Sequence, residues 1–172
     1  FGRAPFHSKN LKKIAKKMEG YVNLEFNLND GKRGDRQEHV REIISSICQS
    51  ESSLVVNNNA AAVMLAINDI AKSGEVIVSR GELVEIGGSF RIPDIIHAGG
   101  AILKEVGTTN RTHIKDYRNA INKNTKLILS VHTSNYVVKG FTKSVRLAEL
   151  VSLGEKYNIP IMVDWGSGSL LK

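Results

Sequence analysis

Short apolar runs alternate with longer stretches of helical periodicity along most of the chain, which predicts repeated β-α-β units around a largely parallel sheet. Strands are predicted at Leu54–Val56, Glu75–Ser79, Ala101–Val106, Leu127–His132 and Ile161–Asp164, several of them rich in Val and Ile. Helices are predicted between them at Ala60–Lys72, Ile92–His97, Asp116–Asn122 and Lys143–Tyr157. Two more are predicted upstream, at Ser8–Glu19 and Asp35–Gln49, with Gly20 placed as the C-terminal cap of the first. Gly74, Gly99-Gly100 and Pro160 punctuate the helix-to-strand turns. The expected fold class is α/β, a mainly parallel sheet with helices on both faces. Residues 1–50 read as a helical segment leading into an α/β unit over 51–172, and neither a fixed repeat nor a low-complexity linker breaks the pattern. Both ends look abrupt: FGRAPF opens without Met, and a doubly wound sheet would be expected to continue past IMVD and its Gly-Ser turn, so the chain reads as a fragment.

Composition adds bounds to this picture. With 172 residues, 41% of them hydrophobic and 24% charged, the chain is the size of one domain with enough apolar material for a core. No stretch approaches the roughly 18–20 uninterrupted apolar residues of a membrane helix, and no secretory signal opens the sequence, so the cytoplasm is the expected compartment. The single cysteine, Cys48, has no partner for an internal disulfide and is expected to fill core space as a small hydrophobe. A net charge of +7 and a pI near 9.6 favour polyanionic partners. Many of the lysines fall in KNLKKIAKK, however, where the solvated face of an amphipathic helix accounts for them equally well. Aromatic residues make up 6% and do not interleave with basic ones as in a base-stacking platform.

Candidate chemistry gathers at the predicted strand ends. In VNNNAAAVMLAI, Asn57, Asn58 and Asn59 stand between an apolar strand and a helix that starts with small residues. Free N–H groups and the positive dipole end at a helix start attract a phosphate, and Ala60 and Ala61 let its oxygens approach; an ordinary Asn N-cap produces the same pattern. Asp164 ends the strand IMVD, where ligand crevices open in α/β sheets. An aspartate there can hold a pyridinium nitrogen protonated, cap the following segment, or bind magnesium. In VHTSNY, His132 and Asn135 stand at a third strand end, suited to stack on a flat ring and to bond its phenolic oxygen, although a His bonded to backbone fits as well. Arg3, Arg33, Arg36, Arg80, Arg91 and Arg111 occupy polar loops in which guanidinium forks bind phosphate-like anions, with one or two of the six expected to do so. The GxSxG, GxxxxGK[ST], HExxH and CxxC signatures are absent.

The strings VNNNAAAV, VIVSRGELVEIGGSFRIPDI, EVGTTNRTH, VHTSNY, GFTKSV and VDWGSGSL together closely resemble the bacterial selenocysteine synthases, the seryl-tRNA(Sec) selenium transferases. The resemblance runs from FGRA to GSGSL. It implies a fold-type-I transferase large domain that binds pyridoxal 5'-phosphate, assembled into a homo-oligomer with active sites between subunits. It also implies conversion of seryl-tRNA(Sec) to selenocysteinyl-tRNA(Sec) with selenophosphate. On this resemblance Asn58, Asn59 and Ala60 receive the cofactor phosphate, Asp164 pairs with the pyridine nitrogen, and His132 and Asn135 line the ring. Arg3 matches a family arginine for the anionic selenium donor, and the loop holding Arg111 faces the substrate.

The family's Schiff-base lysine belongs to an SGDK-type string beyond GSGSL, which this chain does not contain, and Lys172 lacks the flanking residues to replace it. The family's tRNA-gripping N-terminal domain and small C-terminal domain are likewise outside the sequence, so this segment alone is expected to be inactive. Trp165 stands where many relatives carry Leu and reads as packing. Two rival readings remain at this level: a related pyridoxal-phosphate lyase or sulfur transferase acting on a free amino acid, and a non-catalytic remnant of a broken gene.

Overall fold

In a computed structural model of the protein, the residues described are 5–166, and they divide into two compact units that meet in sequence at Val55 and Val56. The first unit begins with helix α1 (Ser8–Met18). The hairpin strands β1 (Phe26–Asn27) and β2 (Lys32–Arg33) and helix α2 (Glu38–Cys48) follow. Neither helix buries a residue. Cys48 is therefore exposed in this unit, not a core filler, because it ends a helix with no packed face around it. Gly20 does not take the left-handed conformation of a glycine cap; α1 stops at Met18 and its C-cap Glu19 is right-handed. The predicted strand Leu54–Val56 does not form. The backbone of Val55 pairs instead with a side chain, its N–H donating to Gln37 Oε1 at 2.9 Å and its carbonyl accepting from Gln37 Nε2 at 2.8 Å.

The second unit carries the sheet. Its elements run α3 (Asn59–Ala71), β3 (Glu75–Ser79), a short 3-10 turn at Arg80–Glu82, the hairpin β4 (Glu85–Ile86) and β5 (Phe90–Arg91), and α4 (Ile92–Ala98). After these come β6 (Ile102–Val106), α5 (Ile114–Ala120), β7 (Thr125–Val131), α6 (Leu147–Tyr157) and β8 (Ile161–Asp164). Four strands form one parallel sheet in the order β6-β3-β7-β8. Because side chains alternate along a strand, the sheet has two distinct apolar faces. Val76, Val78, Leu127, Leu129 and Val131 pack with Val63 and Ile67 of α3 and Ile92 and Ile96 of α4. Ile77 and Ile128 pack on the opposite side with Tyr117 of α5 and Leu150 and Leu153 of α6. Helices on both faces of a parallel sheet are what the alternating pattern predicted.

Helix α2 starts at Glu38, three residues after the predicted Asp35, and α3 at Asn59, one before the predicted Ala60; α5 and α6 also start elsewhere than predicted, each for a capping reason. Helix α5 begins at Ile114 because the His113 N–H donates to Asp116 Oδ2 at 2.7 Å, making His113 the N-cap. Helix α6 begins only at Leu147, where Glu149 Oε2 accepts from Arg146 N–H at 3.2 Å. Lys143, predicted to open that helix, lies in an isolated parallel bridge to Arg111. The hairpin of β4 and β5 is an addition to the predicted elements; Gly87 and Gly88, at φ +64° and +89°, make its turn in a conformation that favours glycine.

Candidate functional site

All four strands of the sheet are parallel, so their C-terminal ends open on one edge, where crevices form in α/β sheets. At that edge β3 runs into the turn at Arg80–Glu82, β7 into His132, and β8 into Trp165. The N-terminus of α3 belongs to the same edge: Asn59 Nδ2 donates to Asp164 Oδ1 at 2.8 Å, joining two positions 105 residues apart.

Asp164 is buried, with 5% of its surface exposed. Its Oδ1 also accepts from Gly166 N–H at 3.2 Å, so both donors use the same oxygen. Among the described residues Oδ2 accepts no hydrogen bond. Register places Asp164 beside Val131, on the face that packs against α3, while its neighbours Val163 and Trp165 turn to the other face.

Asn58 is the N-cap of α3, its side-chain oxygen accepting from Ala61 N–H at 2.8 Å, so the capping alternative is realised at that residue. The Ala62 N–H donates to the Asn58 carbonyl. The N–H groups of Asn59 and Ala60 find no acceptor among the described residues and stand at the positive end of the helix dipole. A helix cap and an open pair of N–H groups thus coexist in one turn.

His132 is exposed and lines a cavity of about 670 Å³ on the α5–α6 side of the strand ends. Ser79, Glu82, Arg111, Lys143 and Trp165 line it too. The structure brings His132 and Arg111 to this cavity, whereas Asn58, Asn59, Ala60 and Asp164 are not among its lining residues. Asn135 is exposed, and its Nδ2 donates to the Glu85 carbonyl at 2.9 Å.

The six loop arginines separate by their partners. Arg33 and Arg36 both pair with Glu25 and hold its carboxyl below the usual range, Arg36 having the larger effect. Arg80 pairs with Glu105 at 2.8 Å, and Arg91 with Glu85 at 2.6 Å. Arg111 has no acidic partner among the described residues. Arg3 lies outside the described residues, as does Lys172.

Sequence reasoning did not single out Glu82. Its side chain is partly buried at the cavity, and loss of hydration pushes its pKa up to about 7 even though the Val131 N–H donates to it. Tyr117 stands nearby in the core; burial first, and then the Glu82 charge, raise its hydroxyl well above its ordinary range. A lone Glu in a glycine-containing turn carries no spacing signal, so only the fold exposes its setting.

Among the described residues no helix is long and apolar enough to cross a membrane, and no group of three or more His, Cys, Asp or Glu side chains could hold a metal ion. The parallel sheet and its two helical layers have the α/β architecture of part of a fold-type-I large domain. Two solved structures share that fold: a D-glucosaminate-6-phosphate ammonia-lyase, at TM-score 0.73 and 20% identity over 96% of this chain and 46% of that one, and 3-amino-5-hydroxybenzoic acid synthase, at TM-score 0.65 and 18% identity over 99% and 41%. The family model for L-seryl-tRNA selenium transferase matches residues 1–172, and the chain belongs to that family. Its relatives include the L-seryl-tRNA(Sec) selenium transferases of Carboxydothermus hydrogenoformans, 57% identical over 99% of this chain, and of Aquifex aeolicus, 54% identical over 99%. The chain spans 36% and 38% of the lengths of these two relatives.

Proposed function

We propose that this segment forms the cofactor-binding half of a selenium transferase that converts seryl-tRNA(Sec) to selenocysteinyl-tRNA(Sec) with selenophosphate. The observation that carries the reading is Asp164: a buried carboxylate at a strand end, with Oδ1 held by two donors and Oδ2, among the described residues, without one. That arrangement fits the protonated nitrogen of a pyridine ring, and the N–H groups of Asn59 and Ala60 fit the phosphate of pyridoxal 5'-phosphate. When bound, the cofactor supplies an electron sink for the charge left at the serine Cα.

This chain's own residues then have separate tasks. Asp164 would keep the ring nitrogen protonated; Asn59 fixes the Asp164 carboxylate, and its backbone N–H would help hold the phosphate. His132 lines the ring from the cavity side, and Asn135, tied to Glu85, shapes the same loop. Arg111, without an acidic partner among the described residues, lines the cavity as a cation that can meet a substrate anion; Arg3 is assigned to the selenium donor through the family motif alone. The remaining parts of the reading are a cytoplasmic location, a homo-oligomer, the division at about residue 50, and a cofactor-anchoring lysine supplied by sequence beyond this segment.

The test is substrate choice by the full-length protein carrying this segment. Loaded with pyridoxal 5'-phosphate, it is expected to form selenocysteinyl-tRNA from seryl-tRNA(Sec) and selenophosphate, and to leave free serine and cysteine unchanged. Turnover of the free amino acids without turnover of seryl-tRNA would instead establish the lyase or sulfur-transferase reading.

A further inference from the structure

Strands β3 and β7 end at different levels. After a register shift between Glu75 and Val76 they pair up to Ile77 and Ile128, and β3 ends at Ser79 while β7 continues to Val131. Successive N–H groups along a strand point to opposite neighbours, and His132 N–H donates to the Asp164 carbonyl at 2.9 Å on the β8 side. Val131 N–H therefore points to the side that β3 has vacated. There it meets the Glu82 carboxylate, donating to Oε2 at 2.8 Å. A side chain thus takes the place of the missing strand.

Two further bonds tie the same segments together. The Tyr136 hydroxyl donates to the Gly81 carbonyl, and Asn135 Nδ2 donates to the Glu85 carbonyl. Between these ties lie His132 and Thr133, both on the cavity wall. The Glu82 tie differs from the others in that its removal strands a backbone N–H, which is costly away from water.

We propose that Glu82 is a positioning residue: its carboxylate completes the sheet at the open end of β7 and so holds His132 and Thr133 at the cavity. The inference rests on the proposed function only for what the cavity receives, not for the tie itself. The groups facing Glu82 are the Tyr117 hydroxyl from α5, the Tyr136 hydroxyl from the loop after β7, and, around the cavity they share, His132, Arg111 and Lys143. No lysine or arginine pairs with it among the described residues. Its raised pKa reflects that setting.

Amide hydrogen exchange on the full-length protein, without cofactor or substrate, tests the tie. Glu82→Ala is expected to speed exchange over residues 131–136 by on the order of tenfold, the worth of one hydrogen bond, with β6 and the core of α3 unchanged. At pH 5, where the Glu82 carboxyl is largely protonated in the folded protein, Glu82→Gln is expected to restore wild-type exchange, because its amide oxygen can accept the same N–H. After correction for intrinsic exchange, wild-type protection over 131–136 is expected to fall as pH rises from about 4.5 to about 7 and to level off above, since the carboxyl ionises more easily in the opened state, while Glu82→Gln stays flat. Wild-type exchange in Glu82→Ala would overturn the proposal. So would a failure of Glu82→Gln to rescue, or a loss of protection spread equally over the sheet. A protein that ignores seryl-tRNA still gives these readings, so failure of the functional assignment and failure of the tie are told apart.

Discussion

Replacing Asp164 by Asn in the full-length protein is expected to lower kcat by about 10²–10³-fold while changing KM little. The scale is that of removing one preorganised electrostatic group from an active site. Asn keeps the size of the side chain and can still accept from Asn59 Nδ2 and Gly166 N–H through its single oxygen, so the strand end is expected to survive. What it lacks is a negative charge to keep a proton on the ring nitrogen. The interaction grows as charge develops in the transition state, and its loss therefore falls on kcat. Steady-state kinetics on seryl-tRNA(Sec) check the split; a rise in KM at unchanged kcat would give Asp164 a binding role only.

The second large effect is on stability. The Glu82 pKa is near 7 in the folded protein, above its ordinary value of 4.5. Desolvation is the leading cause. Below pH 4.5 the group is protonated whether the chain is folded or unfolded, and it costs nothing. Between the two values the unfolded chain ionises first, so stability falls as pH rises; above about 7 both states are ionised and the full loss is present. The loss amounts to about 2–3 kcal/mol, using 1.36 kcal/mol per pKa unit and allowing for solvent screening of a partly buried group. Glu82→Gln has no such titration. Urea unfolding at pH 5 and pH 8 is expected to show wild type losing about 2–3 kcal/mol relative to Glu82→Gln across that range. Parallel pH dependence in the two proteins would contradict it.

Much of the sheet was legible in the sequence because a buried parallel strand is an apolar run bounded by turn residues. Glu75–Ser79 and Ile161–Asp164 form with the predicted limits. Leu54–Val56 has the same composition and fails, since a strand needs a neighbour, and the Gln37 side chain takes the Val55 backbone groups instead. The helix starts at Ile114 and Leu147 depend on side-chain caps from Asp116 and Glu149, which weigh more than apolar periodicity at a helix end. The hairpin at Glu85–Arg91 has strands of two residues, too short for any periodicity, and only Gly87-Gly88 announced it.

The candidate site was legible to a different depth. Asp164 and His132 could be placed at strand ends because the order of elements sets where each strand stops, whereas the Asn58–Ala60 turn, read as following a strand at Leu54–Val56, has no strand before it. The bond between Asn59 and Asp164 spans 105 positions and has no local signature, so it required the fold. The family resemblance placed Arg111 on the substrate side, but nothing local to the residues separated it from the other loop arginines, of which Arg33, Arg36, Arg80 and Arg91 form ion pairs. Glu82 depends on strand β3 ending before β7, a difference in length that composition does not encode.

The most direct test of the central claim is an experimental structure of the full-length protein with pyridoxal 5'-phosphate bound. The account predicts the phosphate within hydrogen-bonding distance of the Asn59 and Ala60 N–H groups and the ring nitrogen against Asp164 Oδ2, with His132 beside the ring. A cofactor seated elsewhere, or a ring nitrogen facing away from Asp164, would contradict it.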